Sequence, residues 1–322
     1  MTEGGARVAR ARVAASRLGR DGREGAGRAL AIGLWVAASL VTSGGVAWIV
    51  GQRLGVDPLQ SVALGALSGV GAVVAGLVAL LIVFAERSSR AASLEALSTA
   101  SSPLLQRLMH EAPGTYVHSM AVATVAEAAA EAIGADALLC RVAAYYHDIG
   151  KIARPMYYFE NLAGIANPHD SAAPKRSAEL ILQHVDEGLR LARRYRLPKP
   201  VRDIMGQHHG TGLVRYFYVK ATQEDAVVFE SDYRYKGPTP QSREAAVVML
   251  SDSCEAAVRA LAVADADVIR NTVASVMTDR MTDGQLSAAG LQPRDLELIH
   301  DSLTRTLVCQ RHDRCPYPGC AK

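Results

Sequence analysis

The sequence has little net charge outside its first residues, which argues against a nucleic-acid-binding protein. The chain of 322 residues has 35 lysines and arginines, 32 aspartates and glutamates, and a formal net charge of +3. Residues 1–28 contain seven arginines against three acidic residues, so the rest of the chain is close to neutral. Proteins that bind nucleic-acid polymers carry basic charge on their folded surface. We therefore expect no nucleic-acid partner and interpret residues 1–28 as a basic cytoplasmic arm of low hydrophobicity.

Cysteine is also scarce, and its spacing favours neither disulfides nor a zinc site. The five cysteines are Cys140, Cys254, Cys309, Cys315 and Cys320. The last three lie near His312, but their spacing matches no common zinc-binding pattern. Disulfides are rare in the cytoplasm, which is the compartment that the charge pattern predicts for this part of the chain. We expect residues 309–322 to form a C-terminal tail.

Charged side chains are absent from two long segments near the N-terminus. Residues 29–50 and 59–85 are uncharged, and each is long enough to cross roughly 30 Å of hydrocarbon as a helix. A cleaved signal peptide is the alternative for the first segment, but its apolar core would be shorter and a second span would not follow at once. Arginines before the first segment indicate a cytoplasmic N-terminus. The sequence thus predicts a transmembrane hairpin over 29–85, in a multi-pass protein of the inner (cytoplasmic) membrane whose catalytic domain is cytoplasmic.

The cytoplasmic part has no strand-rich segment and no internal repeat. We divide it into a helical juxtamembrane linker over 86–112, interrupted at Ser101-Ser102-Pro103, and a domain over 113–308. Apolar periodicity and helix-ending residues predict helices at 115–133, 137–147, 175–195, 199–209, 242–261, 267–281 and 293–308. Thr115 and Asp136 are the expected N-caps of the first two. Residues 222–241 are expected to form a short hairpin or an irregular lid, and the fold class is all-α.

Histidine and aspartate form a series that indicates a metal centre. Five of the nine histidines and two aspartates fall on five separate predicted helices or helix ends: His118, His147, Asp148, His184, His208, His209 and Asp252. Two pairs of these residues are adjacent in the sequence, the doublets His147-Asp148 and His208-His209, and a glycine follows each of them. Glycine often ends a helix, and two adjacent side chains reach one pocket most easily at a helix end. Burying so many imidazoles and carboxylates without metal would be costly. The series predicts two divalent transition metals, with iron or manganese favoured over zinc.

Asp148 and Lys151, in and just after the His147-Asp148 doublet, have specific expected roles. Asp148 is the natural bridge between two ions, because each carboxylate oxygen can bind one of them. Two ions suit the hydrolysis of a phosphate ester. Lys151, one helical turn past His147, is expected to contact a phosphate oxygen as negative charge develops; a solvated surface lysine is the alternative. His110, His300 and His312 are left outside the centre as ordinary core or surface histidines.

Six sequence motifs lie between Glu111 and Glu255, within the stretch 111–305. They are Glu111-Ala-Pro-Gly-Thr-Tyr116, Tyr145-Tyr146-His147-Asp148-Ile149-Gly150-Lys151, Asn167-Pro168-His169-Asp170, His208-His209-Gly210-Thr211, Gly237-Pro238-Thr239-Pro240-Gln241 and Ser251-Asp252-Ser253-Cys254-Glu255. Together they resemble the catalytic domain of the seven-transmembrane HD proteins, which are membrane-bound cyclic-di-AMP phosphodiesterases of bacteria. The chain departs from that family in its two predicted spans, in Val117 where a histidine is usual, and in Lys236 where a proline is usual.

The resemblance implies a ligand set and a reaction. One metal would be held by His118, His147, Asp148 and Asp252, and the other by Asp148, His184, His208 and His209. The implied reaction is the cleavage of cyclic di-AMP to linear pApA. Regulation by an extracytoplasmic ligand does not follow, because the predicted loop between the two spans is only eight residues long.

Substrate contacts and the exact function leave alternatives open. Tyr146, Asn167 and Arg176 are the candidates for contacts with the base, sugar or phosphate. One alternative is an HD hydrolase of another nucleotide, such as cyclic di-GMP, a deoxynucleoside triphosphate or guanosine tetraphosphate. The other is a non-catalytic nucleotide-binding signalling module, which a missing ligand would favour; none is missing. The sequence leaves homo-oligomerisation open.

Overall fold

The chain divides into two compact units, Met1–Ser89 and Arg90–Lys322. A computed structural model describes residues 38, 42, 45–99, 101–162, 164–224, 227–262 and 265–312. The basic arm over 1–28, most of the first predicted span, and the last two cysteines lie outside these residues.

Among its described residues, the first unit has one helical segment that is long and apolar enough to cross a membrane. This segment is Pro58–Ala85, with 28 residues and a mean hydropathy of 2.6, and it begins helix α1 (Pro58–Leu97). Residues 45–54 are also helical, and Gly55 follows them with a φ of 68°, a conformation that favours glycine. Gly51 packs directly on the start of α1, since a Cβ there would lie 1.9 Å from Ser61 Oγ. The described end of the predicted hairpin is therefore a close contact between two helices.

The second unit is built from helices, which confirms the all-α prediction. They are α2 (Pro103–Glu111), α3 (Pro113–Ile133), α4 (Ala137–Tyr146), α5 (Pro174–Arg194), α6 (Lys199–Gln207), α7 (Arg215–Glu224), α8 (Arg243–Arg259), α9 (Ala266–Thr282) and α10 (Pro293–His312). Short 3-10 helices occupy Ile149–Ala153, Pro155–Tyr157, Phe159–Asn161, Pro168–Asp170 and Glu230–Tyr233. In the described part of the chain, β pairing is limited to one isolated antiparallel bridge between Leu213 and Arg234.

Helix α3 lies in the middle of this unit, packed against α4, α8 and α10. Its Val122, Val125, Ala126, Ala129 and Ala130 are all 0% exposed. Small side chains let three neighbouring helices approach closely, and close packing of apolar surface is the main stabilising term in such a core. Because α3 is surrounded in this way, a polar side chain on it is also carried into the interior. His118, 3% exposed, is such a residue.

The start of α3 differs from the prediction. Pro113 is its first residue and Ala112 its N-cap, whereas Thr115 was the expected cap. Proline is favoured at the first helical position, because its φ is already helical and no N–H is lost there. Thr115 lies inside the first turn, where its hydroxyl donates to another side chain. Asp136 does cap α4 as predicted, accepting from the Leu139 amide at 3.0 Å.

The region before α8 and the end of α10 also differ. Helix α7 was not predicted from the sequence. Over 222–241, where a short hairpin or an irregular lid is expected, the described residues contain the end of α7, one bridge to Leu213 and a short 3-10 helix; the segment is irregular, and the hairpin alternative is wrong. Helix α10 runs four residues into the predicted tail, and Gln310 Nε2 donates to the Ala121 carbonyl at 3.1 Å. Residues 309–312 therefore belong to the last helix.

Candidate metal centre

The seven histidines and aspartates singled out from the sequence lie together in the second unit. They form two groups, in each of which the ligand atoms lie within 4.8 Å of one another: Asp148, His184, His208 and His209 in one, and His118, His147 and Asp252 in the other. All are buried except His209, which is partly exposed. Helices that are far apart in the sequence thus bring one set of donors to one place.

A close contact between backbones brings the first doublet to α5. His147 and Asp148 follow the end of α4, and Gly150 then packs on α5. A Cβ on Gly150 would lie 1.8 Å from the His184 carbonyl oxygen, so only glycine fits. This contact leaves Asp148 Oδ1 3.3 Å from His184 Nε2.

The second doublet is fixed by the residues that follow it. Gly210 has a φ of 52°, the left-handed conformation that ends many helices. The Gln285 amide oxygen accepts from the Thr211 N–H at 2.9 Å, and its amide nitrogen donates to Thr211 Oγ1 at 2.9 Å. Gln285 is 1% exposed and was not identified from the sequence. It anchors the chain directly after His208 and His209.

The four most buried histidines are each held at the ring nitrogen that faces away from the centre. The Nδ1 atoms of His147, His184 and His208 lie 2.7, 2.6 and 2.6 Å from the carbonyl oxygens of Ala144, Ile181 and Met205. The Nδ1 atom of His118 lies 2.5 Å from Glu255 Oε2 instead. Carbonyl and ionised carboxylate oxygens only accept hydrogen bonds, so Nδ1 carries a proton and Nε2 is the nitrogen that faces the centre, where a neutral ring presents a lone pair. Histidines that bind metal ions are typically oriented in this way.

The donor atoms lie close to the spacing that metal ligands adopt around one ion. Asp252 Oδ1 lies 3.0 Å from His118 Nε2 and 3.6 Å from His147 Nε2. Asp148 Oδ2 lies 3.2 Å from His147 Nε2, while its Oδ1 faces the other group. Donors bound to one ion at about 2.1 Å lie roughly 3.0–3.4 Å apart in octahedral or tetrahedral geometry. The two oxygens of Asp148 thus face different groups, as a bridging carboxylate must.

Several buried polar atoms at the centre have no hydrogen-bond partner, and they show whether metal ions would fit there. His147 Nε2 and Asp148 Oδ1 are buried and make no hydrogen bond. The Nε2 atoms of His184 and His208 lie 3.4 Å apart, although both present lone pairs. Buried polar atoms without partners are costly, and facing lone pairs repel. Cations at these positions remove both costs, so the residues fit a site for two metal ions.

The charges at the centre also favour cations. Burial would raise the pKa of Asp148, but His147 and Lys151 outweigh it and hold that pKa well below its usual range. Burial lowers the pKa of His208 to about 3, and the neighbouring His147 and His184 act in the same direction. An ionised carboxylate beside a neutral imidazole is the donor combination that divalent metals bind.

Lys151 is paired with two carboxylates. Its Nζ lies 2.7 Å from Asp148 Oδ2 and 2.7 Å from Glu160 Oε1, and 5.0 Å from the centre of the Tyr158 ring. Glu160 also accepts from Thr115 Oγ1 at 3.1 Å. Burial would lower the pKa of Lys151, but both carboxylates outweigh it and raise that pKa, so the lysine is charged. Glu160 was not identified from the sequence, because it lies in the short 3-10 helix Phe159–Asn161, which has no motif of its own.

A cleft of about 390 Å³ borders the centre at His209. One wall comes from α5 and the other from the segment before α8; the charged residues that line it are Lys175, Glu179, Asp186, Asp232, Arg234 and Lys236. Tyr235 also lines the cleft and stacks on His209, with ring centres 4.3 Å apart and planes inclined by 28°. The sequence carried no signal for Tyr235, because the stacking depends on two segments that only the fold brings together.

One of the three predicted substrate contacts, Tyr146, lies enclosed in the core. The Tyr146 side chain is 0% exposed. Its hydroxyl donates to the Leu97 carbonyl at 2.7 Å and accepts from Ser102 Oγ at 2.8 Å. A ring enclosed in this way has no free face for a base, so Tyr146 is a core residue that holds the end of α1.

The other two predicted contacts are engaged outside the cleft. Asn167 Oδ1 accepts from the His169 amide at 3.0 Å, which caps a short 3-10 helix. Arg176 Nη1 lies 3.1 Å from Glu179 Oε2, in an exposed ion pair. Neither Asn167 nor Arg176 is among the residues that line the cleft. Their contacts with substrate stay predictions.

The helical fold, and the His-Asp doublet at a centre that fits two metal ions, are the features of an HD-domain protein. A family model of the HD domain matches residues 115–257. The cyclic-di-AMP phosphodiesterase PgpH of Bacillus subtilis (strain 168) is 44% identical over 226 residues, which are 70% of this chain and 32% of that protein. The chain thus matches about a third of the length of this relative.

Two crystal structures extend the comparison to the fold. The HD domain of the L. monocytogenes phosphodiesterase PgpH is 43% identical, with a TM-score of 0.63 over 66% of this chain and 100% of that one. The same domain in complex with cyclic-di-AMP is matched with the same identity and TM-score over 65% and 98%. The chain therefore belongs to the HD-domain family, and PgpH proteins are among its relatives.

Proposed function

We propose that this protein is a membrane-anchored phosphodiesterase that hydrolyses cyclic di-AMP to linear pApA with two divalent metal ions. The convergence of seven histidine and aspartate side chains on two groups that meet at Asp148 carries the proposal. The similarity to PgpH proteins, one of whose HD domains was crystallised in complex with cyclic-di-AMP, supports the choice of substrate.

The interatomic distances support the ligand sets that the family resemblance implies. One ion would be held by His118, His147, Asp148 and Asp252, and the other by Asp148, His184, His208 and His209. We propose iron or manganese, because imidazole combined with carboxylate suits both. When bound, two such ions neutralise phosphate charge and make water a stronger nucleophile.

The residues around the centre would bind and orient the substrate. Lys151 uses two of its three N–H donors on Asp148 and Glu160, so one donor is left for a phosphate oxygen. This pairing holds the ammonium group in place before substrate arrives, which favours stabilisation of charge in the transition state. The cleft beside His209 would accept the nucleotide, with the stacked Tyr235 as part of its wall.

We also propose the domain organisation. A basic arm over 1–28, a transmembrane hairpin over 29–85 and a linker over 86–112 would precede an HD domain from residue 113 to the end of α10. The apolar segment Pro58–Ala85 supports the anchor. Reporter fusions at residue 20 and at the C-terminus should both report the cytoplasm, and a fusion at Val56 should report the outside. A C-terminus on the outer side would overturn this topology.

The test of the reaction is a nucleotide panel with the full-length protein in detergent, loaded with Mn²⁺ or Fe²⁺. We expect cyclic di-AMP to be cleaved once, because a second cleavage needs the terminal phosphate of the product to rebind in a new register. Cyclic di-GMP should be cleaved about tenfold to a hundredfold more slowly, since each unsatisfied polar group in a mismatched pocket costs about 1–3 kcal/mol. A deoxynucleoside triphosphate and guanosine tetraphosphate complete the panel.

Metal dependence is measured on the same preparations. Elemental analysis should give about two metals per chain in the wild type, and His184→Ala and Asp148→Ala should lose metal together with activity. His300→Ala, outside the centre, is the matched control. Full turnover after exhaustive chelation would overturn the dimetal reaction, whereas equal or faster turnover of cyclic di-GMP would overturn only the specificity.

A further inference from the structure

His118 is held differently from the other buried histidines of the centre. The carbonyls that hold His147, His184 and His208 each belong to the residue three positions earlier in the chain. The partner of His118 is a side chain 137 residues away, the carboxylate of Glu255, at 2.5 Å. A carboxylate on another helix thus accepts the hydrogen bond from Nδ1 of His118, whereas a backbone carbonyl one turn earlier accepts it from each of the other three histidines.

Glu255 and Asp252 hold the two nitrogens of the same imidazole. They lie three residues apart on α8, so their side chains project from the same face of the helix. Asp252 Oδ1 lies 3.0 Å from Nε2 of His118, and Glu255 Oε2 holds Nδ1. Glu255 is 7% exposed, and Arg259 Nη1 lies farther from the same Oε2 atom than His118 does, at 3.8 Å. The His118 side chain belongs to α3, but two carboxylates of α8 therefore fix the orientation of its ring.

This arrangement affects one metal group more than the other. A carboxylate at Nδ1 fixes the tautomer, orients the ring and makes Nε2 a stronger donor, whereas a backbone carbonyl adds no charge. Among the described residues, Glu255 contacts His118 in the group with His147 and Asp252, and makes no hydrogen bond or ion pair with His184, His208 or His209. Substitution of Glu255 should therefore lower the metal affinity of the His118 group more than that of the other group.

We propose that Glu255 is a positioning residue that selectively strengthens metal binding at the His118 group. The inference rests on the proposed two-metal centre. Removal of a carboxylate that orients a metal-binding histidine typically weakens metal affinity by about 10–100-fold. We expect a loss of this size at one site of the centre, with the affinity of the other site unchanged.

The experiment is a Mn²⁺ titration of the full-length protein in detergent, followed by calorimetry and by electron paramagnetic resonance. Glu255→Gln keeps the size and an acceptor oxygen but removes the charge, and Glu255→Ala removes both. Glu244→Gln is the matched control, because Glu244 lies on the same helix and contacts the Asp136 amide instead of the centre. Thermal unfolding of each variant is recorded in parallel.

We expect two bound Mn²⁺ with a spin-coupled signal in the wild type and in Glu244→Gln. In Glu255→Gln one site should weaken about 10–100-fold, and at limiting Mn²⁺ the spectrum should become that of an isolated ion. Glu255→Ala should weaken the same site at least as much. If Glu255→Ala does not fold, the charge-neutral Glu255→Gln alone decides the question.

The outcomes separate the two proposals. A wild type that binds fewer than two Mn²⁺ would overturn the two-metal function, whatever the variants do. Two ions in the wild type and unchanged affinities in both Glu255 variants would overturn the positioning role. Equal weakening of both sites together with a lower unfolding temperature would assign Glu255 a merely structural role and would also overturn it.

Discussion

The Tyr146 hydroxyl donates to the Leu97 carbonyl at 2.7 Å, across 49 residues of sequence. Leu97 is the last residue of α1, and Tyr146 directly precedes the His-Asp doublet. Ser102 Oγ donates to the same hydroxyl at 2.8 Å, and burial raises the pKa of Tyr146 to about 12. The phenol therefore stays protonated and ties the end of α1 to the end of α4, directly before the His-Asp doublet.

Removal of this hydroxyl should cost stability but not substrate binding. Tyr146→Phe leaves the Leu97 carbonyl and Ser102 without a partner in a buried place, and we expect it to lower the free energy of unfolding by about 1–3 kcal/mol. Chemical denaturation followed by circular dichroism measures this. Tyr216→Phe is the control, because Tyr216 is 71% exposed, and it should change stability by less than about 0.5 kcal/mol. If Tyr146→Phe raised KM without changing the free energy of unfolding, Tyr146 would be a substrate contact instead of a core residue.

The ion pair between Lys151 and Glu160 should behave as a coupled unit. Their side chains are 13% and 10% exposed, and breaking a buried pair from one side costs about 3–5 kcal/mol. Lys151→Met and Glu160→Gln should each be destabilising at fixed metal loading, and the double variant should lose less than the two losses together. Lys199→Met, which breaks an exposed pair with Asp203, should cost less than about 1 kcal/mol. Additive losses in the double variant would contradict the coupling.

The same pair predicts a dependence of stability on pH. Burial would raise the pKa of Glu160, but Lys151 outweighs it and lowers that pKa. A group whose folded pKa lies below its unfolded value of about 4.3 stabilises the protein above that pH and loses this contribution as the pH falls through the folded pKa. We expect the stability difference between the wild type and Glu160→Gln to shrink as the pH falls from about 5 to 3. A difference that stays constant over this range would contradict the assignment.

The described cysteines should differ sharply in reactivity. Cys140 and Cys254 are buried, whereas Cys309 is exposed. Burial raises the pKa of Cys254 to about 12 and raises that of Cys140 well above its usual value. Since the thiolate is the reactive form, iodoacetamide at pH 8 should modify Cys309 in the folded protein and leave the other two intact. Peptide mass spectrometry reads out each site, and rapid modification of Cys140 or Cys254 without denaturant would contradict the assigned burial.

Most helices and the residues that converge on the centre could be predicted from the sequence. Helix ends such as Asp136 before α4 and Gly210 after the second doublet depend on local backbone preferences, which act over a few residues. Two wrong predictions of secondary structure also concern short segments, the start of α3 and helix α7. Thr115 has the chemistry of a cap, but Pro113 two residues earlier already starts the helix. Helix α7 lacked a strong apolar period, and its burial depends on a small cluster around Phe217.

The sequence by itself determined the all-α class, the apolar segments and the set of donor residues, because each depends on residue type and short-range spacing. Only the tertiary structure decided what surrounds those donors. Glu255 orients His118 from 137 positions away, and Glu160 contacts Lys151 from a short 3-10 helix. Tyr146 carries the chemistry of a stacking residue, yet its ring is closed in by neighbouring helices. Hydrogen bonds, ion pairs and burial depend on distances in space, and a one-dimensional pattern contains those distances only where the partners are neighbours along the chain.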